Sequence, residues 1–182
     1  MRSTESEKVE NNTVTAGKKN GIKEMIKFIA GLFVVYIIVS NTIGTTKVIG
    51  HSMDRTLKDG SFLFINKLST FFSKPSHGDV VIIKEEDLRI VKRVIGIPGD
   101  TVSIQGGVLY INNEPVPENY VLGTSNDMSP VTVEKGEVFI MGDNRAPGES
   151  LDSRDPKMGT ISVEHIEGYA VVSLYPFYTI KK

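Results

Sequence analysis

Residues 28–39 form the longest apolar run of the chain, broken only by Gly31. Taken out to Met25 and Ile43, the segment has about 19 residues, which at 1.5 Å per residue just spans a hydrocarbon core of about 30 Å. It is apolar on all sides rather than along one stripe, which argues against a buried helix of a soluble domain. Lys18, Lys19, Lys23 and Lys27 precede it, and only Lys47 follows closely. This asymmetry predicts a single-pass helix in the cell membrane, with a cytoplasmic N-terminus and an extracytoplasmic remainder. A cleavable signal peptide is the competing expectation, but residues 40–42 and 44–46 are poor cleavage sites. Residues 1–19 are polar and of mixed charge, with too few apolar groups to bury, and predict a disordered tail. The expected organisation is a disordered cytoplasmic tail at 1–22, a transmembrane helix at 23–45 and one extracytoplasmic domain at 46–182.

After Lys47 the pattern changes. Short β-branched and aromatic runs at 62–65, 80–83, 88–95, 101–104, 108–111, 131–133, 138–141 and 169–174 alternate with Gly, Pro, Asn and Asp. Residues 101–111 read as a hairpin turning at Gly106-Gly107. No stretch there keeps a helical period, apart from a short turn at 163–166. The fold class is therefore mainly β, a β-sheet domain behind one N-terminal transmembrane α-helix. About 135 residues remain beyond the membrane segment, enough for one domain with its own core.

The chain has 182 residues and a net charge of -1, which gives no electrostatic reason to expect nucleic acid as a partner. It has no cysteine, which excludes disulfides, a thiol nucleophile and thiolate metal sites. His51, His77 and His165 are scattered without metal-ligand spacing, so neither a metal nor another cofactor is expected.

Three stretches carry candidate chemistry. Ser52 lies a few residues beyond the apolar segment, between Gly50, which permits close approach of a substrate backbone, and Met53, suited to core packing or lipid contact. A lone serine is usually a turn residue and needs a base to be a nucleophile. His51 is adjacent, and neighbours in an extended segment point to opposite faces. Lys92 is the better partner. On a strand it shares a face with Ile90 and Val94, so its ammonium must snorkel to solvent or lose its proton. At an ordinary pKa near 10.4 only about 0.04% of lysine is neutral at pH 7, and desolvation raises that fraction steeply. Arg93 cannot serve, because guanidinium stays charged. Residues 141–154 gather Asp143, Arg145, Asp152 and Arg154, which read either as an ordinary polar turn or as a brace of Arg–carboxylate bridges. Ser150 is placed to present a hydroxyl to a buried lysine.

Together these stretches resemble bacterial type I signal peptidases, membrane-bound Ser/Lys endopeptidases that remove signal peptides. Gly50, Ser52, Met53, Thr56 and Leu57 match the family's Gly-x-Ser-Met-x-Pro-Thr-Leu box, and residues 92–100 match Lys-Arg-Val-Ile-Gly-x-Pro-Gly-Asp. Residues 142–145 with Ser150, Asp152, Ser153 and Arg154 match Gly-Asp-Asn-Arg-x-x-Ser-x-Asp-Ser-Arg. Gly78-Asp79-Val80-Val81 resembles the strand before the lysine box. The resemblance implies a mostly antiparallel β domain of the compact Gram-positive form. It implies Ser52 as nucleophile, neutral Lys92 as general base, Ser52 N–H in the oxyanion hole, a hydrogen bond from Ser150 to Lys92, and Asp152 and Arg154 as braces. Shallow pockets beside Ser52, with Met53 in the substrate-binding wall, would take small side chains at the -1 and -3 positions. The implied partners are such preproteins, the lipid bilayer and the secretion machinery.

The chain departs from the family's pattern in three places. Arg55 replaces the proline that fixes φ after the nucleophile. Gly50 stands where some members carry a serine that completes the oxyanion hole. Four residues, 146–149, separate Arg145 from Ser150 where the family has two. These departures motivate an alternative: a specialised or non-catalytic assembly factor on the same scaffold, serving surface-fibre assembly. A self-cleaving Ser/Lys peptidase of the repressor type fits poorly with an anchor and no DNA-binding helical module.

Overall fold

A computed structural model describes residues 3–85 and 88–181. The chain divides into two compact units, Met1–Asn41 and Thr42–Lys182. The first is occupied by helix α1 (Ser3–Thr42). Residues 3–19 thus lie in a helix where a disordered tail is expected; the stretch holds no proline and runs unbroken into the apolar segment, so nothing stops helix propagation. Residues 1–2 of that tail lie outside the described residues. The side chains of Met25, Ile26, Phe28, Ile29 and residues 32–39 are all exposed. Even so, among the described residues no helix is long and apolar enough to cross a membrane. This corrects the expected transmembrane helix at 23–45. The apolar run at 28–39, Gly31 included, extends only about 18 Å at 1.5 Å per residue, short of a ~30 Å core. Polar Lys23, Glu24 and Lys27 bound it on one side, and Ser40, Asn41 and Thr42 on the other.

The second unit is mainly antiparallel β. Its elements are β1 (Ile43–Lys47), β2 (Phe62–Asn66), α2 (Ser69–Phe72), β3 (Val80–Glu85), β4 (Leu88–Gly96), β5 (Thr101–Gln105), β6 (Val108–Ile111), β7 (Glu114–Pro115), β8 (Met128–Thr132), β9 (Glu137–Met141), β10 (Ile161–Ser162), β11 (Ile166–Tyr175) and β12 (Phe177–Thr179), with a 3₁₀ turn at Val163–His165. An eight-stranded sheet runs β1-β2-β11-β3-β4-β9-β10, with β12 added on β11, and a four-stranded sheet runs β7-β6-β5-β8. Every paired strand is antiparallel.

β3 shows why the runs fold this way. Val80 to Ile83 are buried on both faces, as an unbroken β-branched run requires. Val80 and Ile82 join a cluster with Val48, Met53, Leu57 and Leu63. Val81 and Ile83 join another with Val94, Val138 and Ile140. The sheet thus has a core on each side of β3. A third cluster around Ile104, Leu109 and Phe139 ties β9 to the smaller sheet.

Candidate active site

Ser52 sits in a turn after β1, not on a strand. The loop is closed at its base, where Val48 N–H donates to Ser61 O at 2.8 Å and Gly60 N–H donates to Val48 O at 3.0 Å. Two buried anchors hold the turn. Met53, 1% exposed, and Leu57 pack in the core with Val48 and Leu63. The Asp54 amide donates to His51 O, and the Thr56 and Leu57 amides both donate to Met53 O. Ser52 immediately precedes the first anchor, half-buried. His51 points away, exposed, with its ring 3.1 Å from Asp54.

Lys92 comes from the middle of β4, opposite Val81 on β3. Ile90 and Val94, its neighbours on that face, pack in the apolar cluster around Val81. Lys92 is only 3% exposed, and its Nζ donates to Ser52 Oγ at 2.7 Å. Burial is the largest influence on this ammonium and brings its pKa from 10.5 down to about 8. Asp152 opposes that shift, Arg154 adds to it, and Asp143 opposes it. The neutral amine is thereby accessible near physiological pH beside a hydroxyl, the condition for a lysine to take a serine proton.

The third stretch follows β9. Its Asn144 amide donates to Ser52 O at 3.0 Å, and Asn144 Nδ2 donates to His51 O at 3.3 Å, so this loop grips the backbone of the serine turn. Gly142 lies so close that a Cβ there would collide with Ser52 O and the Ser150 hydroxyl. Asp152 is buried and accepts from Gly142 N at 2.9 Å, Ser150 Oγ at 2.6 Å, and Arg154 Nε and Nη2 at 2.8 Å each. Burial works to raise the Asp152 pKa, but the Arg154 bonds and charge, with the Gly142 and Ser150 bonds, hold it below the usual carboxylate value.

Several sequence expectations meet the geometry differently. Ser150 donates to Asp152 and makes no hydrogen bond to Lys92 among the described residues. The extra residues explain this in part: Pro147, Gly148 and Glu149 form an exposed turn, and Ser150 returns beneath it onto Asp152. Asp152 and Arg154 do pair, but Asp143 and Arg145 find partners outside the stretch. Asp143 holds the fully buried Arg93 through two bonds, at 2.9 and 2.7 Å, and Arg145 pairs with Glu118. Gly50, at φ +101°, commits its N–H to Asp59 Oδ1 at 2.9 Å. That amide is occupied, while the Ser52 N–H has no partner among the described residues. Met53 takes the core-packing alternative, and it also borders a cavity of about 260 Å³ beside Ser52 and Lys92, with Ile82 and Val91 in its apolar wall and Lys47 and Arg89 also lining it.

Sequence reasoning placed Gly142 and Asn144 in a motif box without giving either a role, and did not single out Glu118. Glu118 carries no local signal, because its partner lies 27 residues away. Gly142 and Asn144 carry a weak one, since a small residue and a short amide at a strand end often mark close backbone approach.

A family model described as "Signal peptidase, peptidase S26" matches residues 22–175. Signal peptidase I of Bacillus licheniformis is 35% identical, covering 92% of this chain and 96% of its own. Signal peptidase I T of Bacillus subtilis is 42% identical, covering 70% of this chain and 72% of its own. A crystal structure of a signal peptidase I from Enterococcus faecalis is matched at a TM-score of 0.48 and 28% identity, over 54% of this chain and 98% of that one. By its family match and the two Bacillus relatives, the chain belongs to the signal peptidase family, peptidase S26.

Proposed function

We propose that the chain is a serine endopeptidase that removes N-terminal signal peptides from exported preproteins. The observation that carries this reading is the 2.7 Å contact of the buried Lys92 Nζ with Ser52 Oγ. Neutral Lys92 takes the Ser52 proton as Oγ attacks the scissile carbonyl. The proton then passes to the leaving amine. Lys92 next draws a proton from the water that opens the acyl-enzyme, and returns it to Ser52. The unpartnered Ser52 N–H is one donor for the developing oxyanion. Asp152 and Arg154 act as positioning residues that fix the loop against Ser52. The cavity of about 260 Å³ beside Ser52 suits small side chains on the acyl side of the bond. The exposed apolar segment of α1 holds the chain at a lipid surface, where such substrates emerge.

Incubation of the detergent-solubilised chain with a preprotein tests the reading, with Ser52→Ala and Lys92→Met as comparisons. Cleavage by the parent alone is expected. Near-normal turnover by either variant overturns the mechanism. A parent that binds a partner protein without cutting it points instead to an assembly factor.

A further inference from the structure

We propose a second, non-catalytic site that binds a phosphate group, in the cavity behind the turn that carries Ser52. This cavity, of about 670 Å³, is lined by Arg55, Thr56, Lys58, Tyr120, Tyr178 and Lys181, among others. Three of its walls are cationic, and no acidic side chain lines it among the described residues. That is a strong local excess in a chain whose net charge is -1. The acids nearest in sequence are already engaged. Asp54 pairs with the His51 ring at 3.1 Å, Asp59 accepts from Gly50 N, and Glu118 is held by Arg145 and the Tyr120 hydroxyl. Arg93, whose guanidinium lies 3.9 Å from the centre of the Tyr120 ring, is answered by Asp143 and so adds no free charge.

The donors also fit an oxyanion. Arg55 spends one Nη on Val121 O at 2.9 Å and keeps the rest of its fork for a ligand. Thr56 brings a hydroxyl, whose oxygen accepts from Arg93 Nη2 at 3.2 Å and whose proton stays available to a ligand. A phosphate presents acceptor oxygens in a tetrahedron, so it can be met by more than one of these cationic side chains at once, the Arg55 fork among them. The phosphate would come from a lipid headgroup or from free solution. This cavity shares no lining residue with the one beside Ser52, so occupancy leaves the reaction site open.

The test uses the full chain in a non-ionic detergent at fixed ionic strength. Inorganic phosphate is titrated in one arm and glycerophosphoglycerol, a tail-free lipid headgroup, in the other, with ³¹P line width as readout. The parent and an R55G/K58Q double variant are compared after matching thermal unfolding shows both folded. Binding of either probe that weakens at least tenfold in the double variant supports the site, and the tighter probe identifies the source. Absence of binding in both arms, or equal affinity in parent and variant, overturns it. Lys181→Gln is a third comparison, expected to weaken binding severalfold; should it leave affinity unchanged, a three-cation site is refuted.

Discussion

Lys92 Nζ donates to Ser52 Oγ at 2.7 Å, joining a strand interior to a loop turn forty residues away in sequence. The contact exists because Met53 and Leu57 pin the turn in one core while β4 holds the lysine between Ile90 and Val94 in another. A lysine so enclosed pays its desolvation whenever it is charged, and that links catalysis to pH.

The first prediction concerns rate. With the Lys92 pKa near 8, about a tenth of the free enzyme carries the neutral amine at pH 7. The kcat/KM for preprotein cleavage should rise about tenfold per pH unit below that pKa and level off above it. A flat profile from pH 6 to 9 would rule out Lys92 as the base.

The same shift predicts a stability profile. Between pH 8 and 10.5 the folded chain holds Lys92 neutral while the unfolded chain still binds the proton. Stability therefore rises with pH through that window, and the full cost of the buried ammonium is present below it. The span is on the order of 3 kcal/mol. Lys92→Met should remove this rise and unfold at higher urea than the parent at pH 7. Urea midpoints at pH 7, 9 and 10 check both statements.

Ser150 and Asp152 should separate cleanly. Ser150→Ala removes one hydrogen bond to Asp152, costs about 1 kcal/mol, and leaves the pH midpoint of cleavage in place. Asp152→Asn removes a carboxylate that raises the Lys92 pKa and leaves Arg154 without its charge partner. Stability should fall by about 3 kcal/mol, and the midpoint of the residual cleavage should move to lower pH. A downward shift in the Ser150 variant instead would return that hydroxyl to the lysine.

Gly142 offers a steric test. Alanine there must displace either the Ser52 carbonyl or Ser150, because both fill the space of its Cβ. Overpacking of this kind costs about 1–3 kcal/mol. Cleavage should fall by more than the loss of folded protein accounts for, measured as active-site-normalised kcat at a temperature where the variant remains folded.

The sequence made the interior strands legible and left the edges obscure. β3, β4, β5, β6 and β9 are runs of β-branched or large apolar residues bounded by turn formers, so pattern locates them. β7 and β10 have two residues each and β12 three, too few to carry a period. β1 follows directly on α1 with Gly44 and two threonines, and was absorbed into the end of the predicted helix. Within the site, the pairing of Ser52 with Lys92 was expected from the motif boxes in their order, and the 2.7 Å contact brings the two side chains together. The partners of Asp143 and Arg145 were not, since ion pairing over 50 and 27 residues leaves no local trace. The placement of Ser150 depends on how an exposed turn folds back, which composition does not determine.

Arg55 yields the last prediction. The motif box that residues 50–57 resemble has proline at this position, a residue confined to φ near −65°. Here Arg55 sits at φ +81°, in the left-handed region, with its guanidinium reaching Val121 O. Restoring the family's proline should therefore harm this chain. It would force the backbone through a change of sign in φ two residues before Leu57, which is fully buried. Arg55→Pro is expected to lower stability by about 3 kcal/mol or more and to disturb the turn that presents Ser52. Arg55→Gly accepts the observed φ without a Cβ penalty, and should stay within about 1 kcal/mol of the parent despite losing the exposed bond to Val121. Urea unfolding of the three chains decides the matter: a proline variant as stable as the parent would show that the turn does not depend on its left-handed residue.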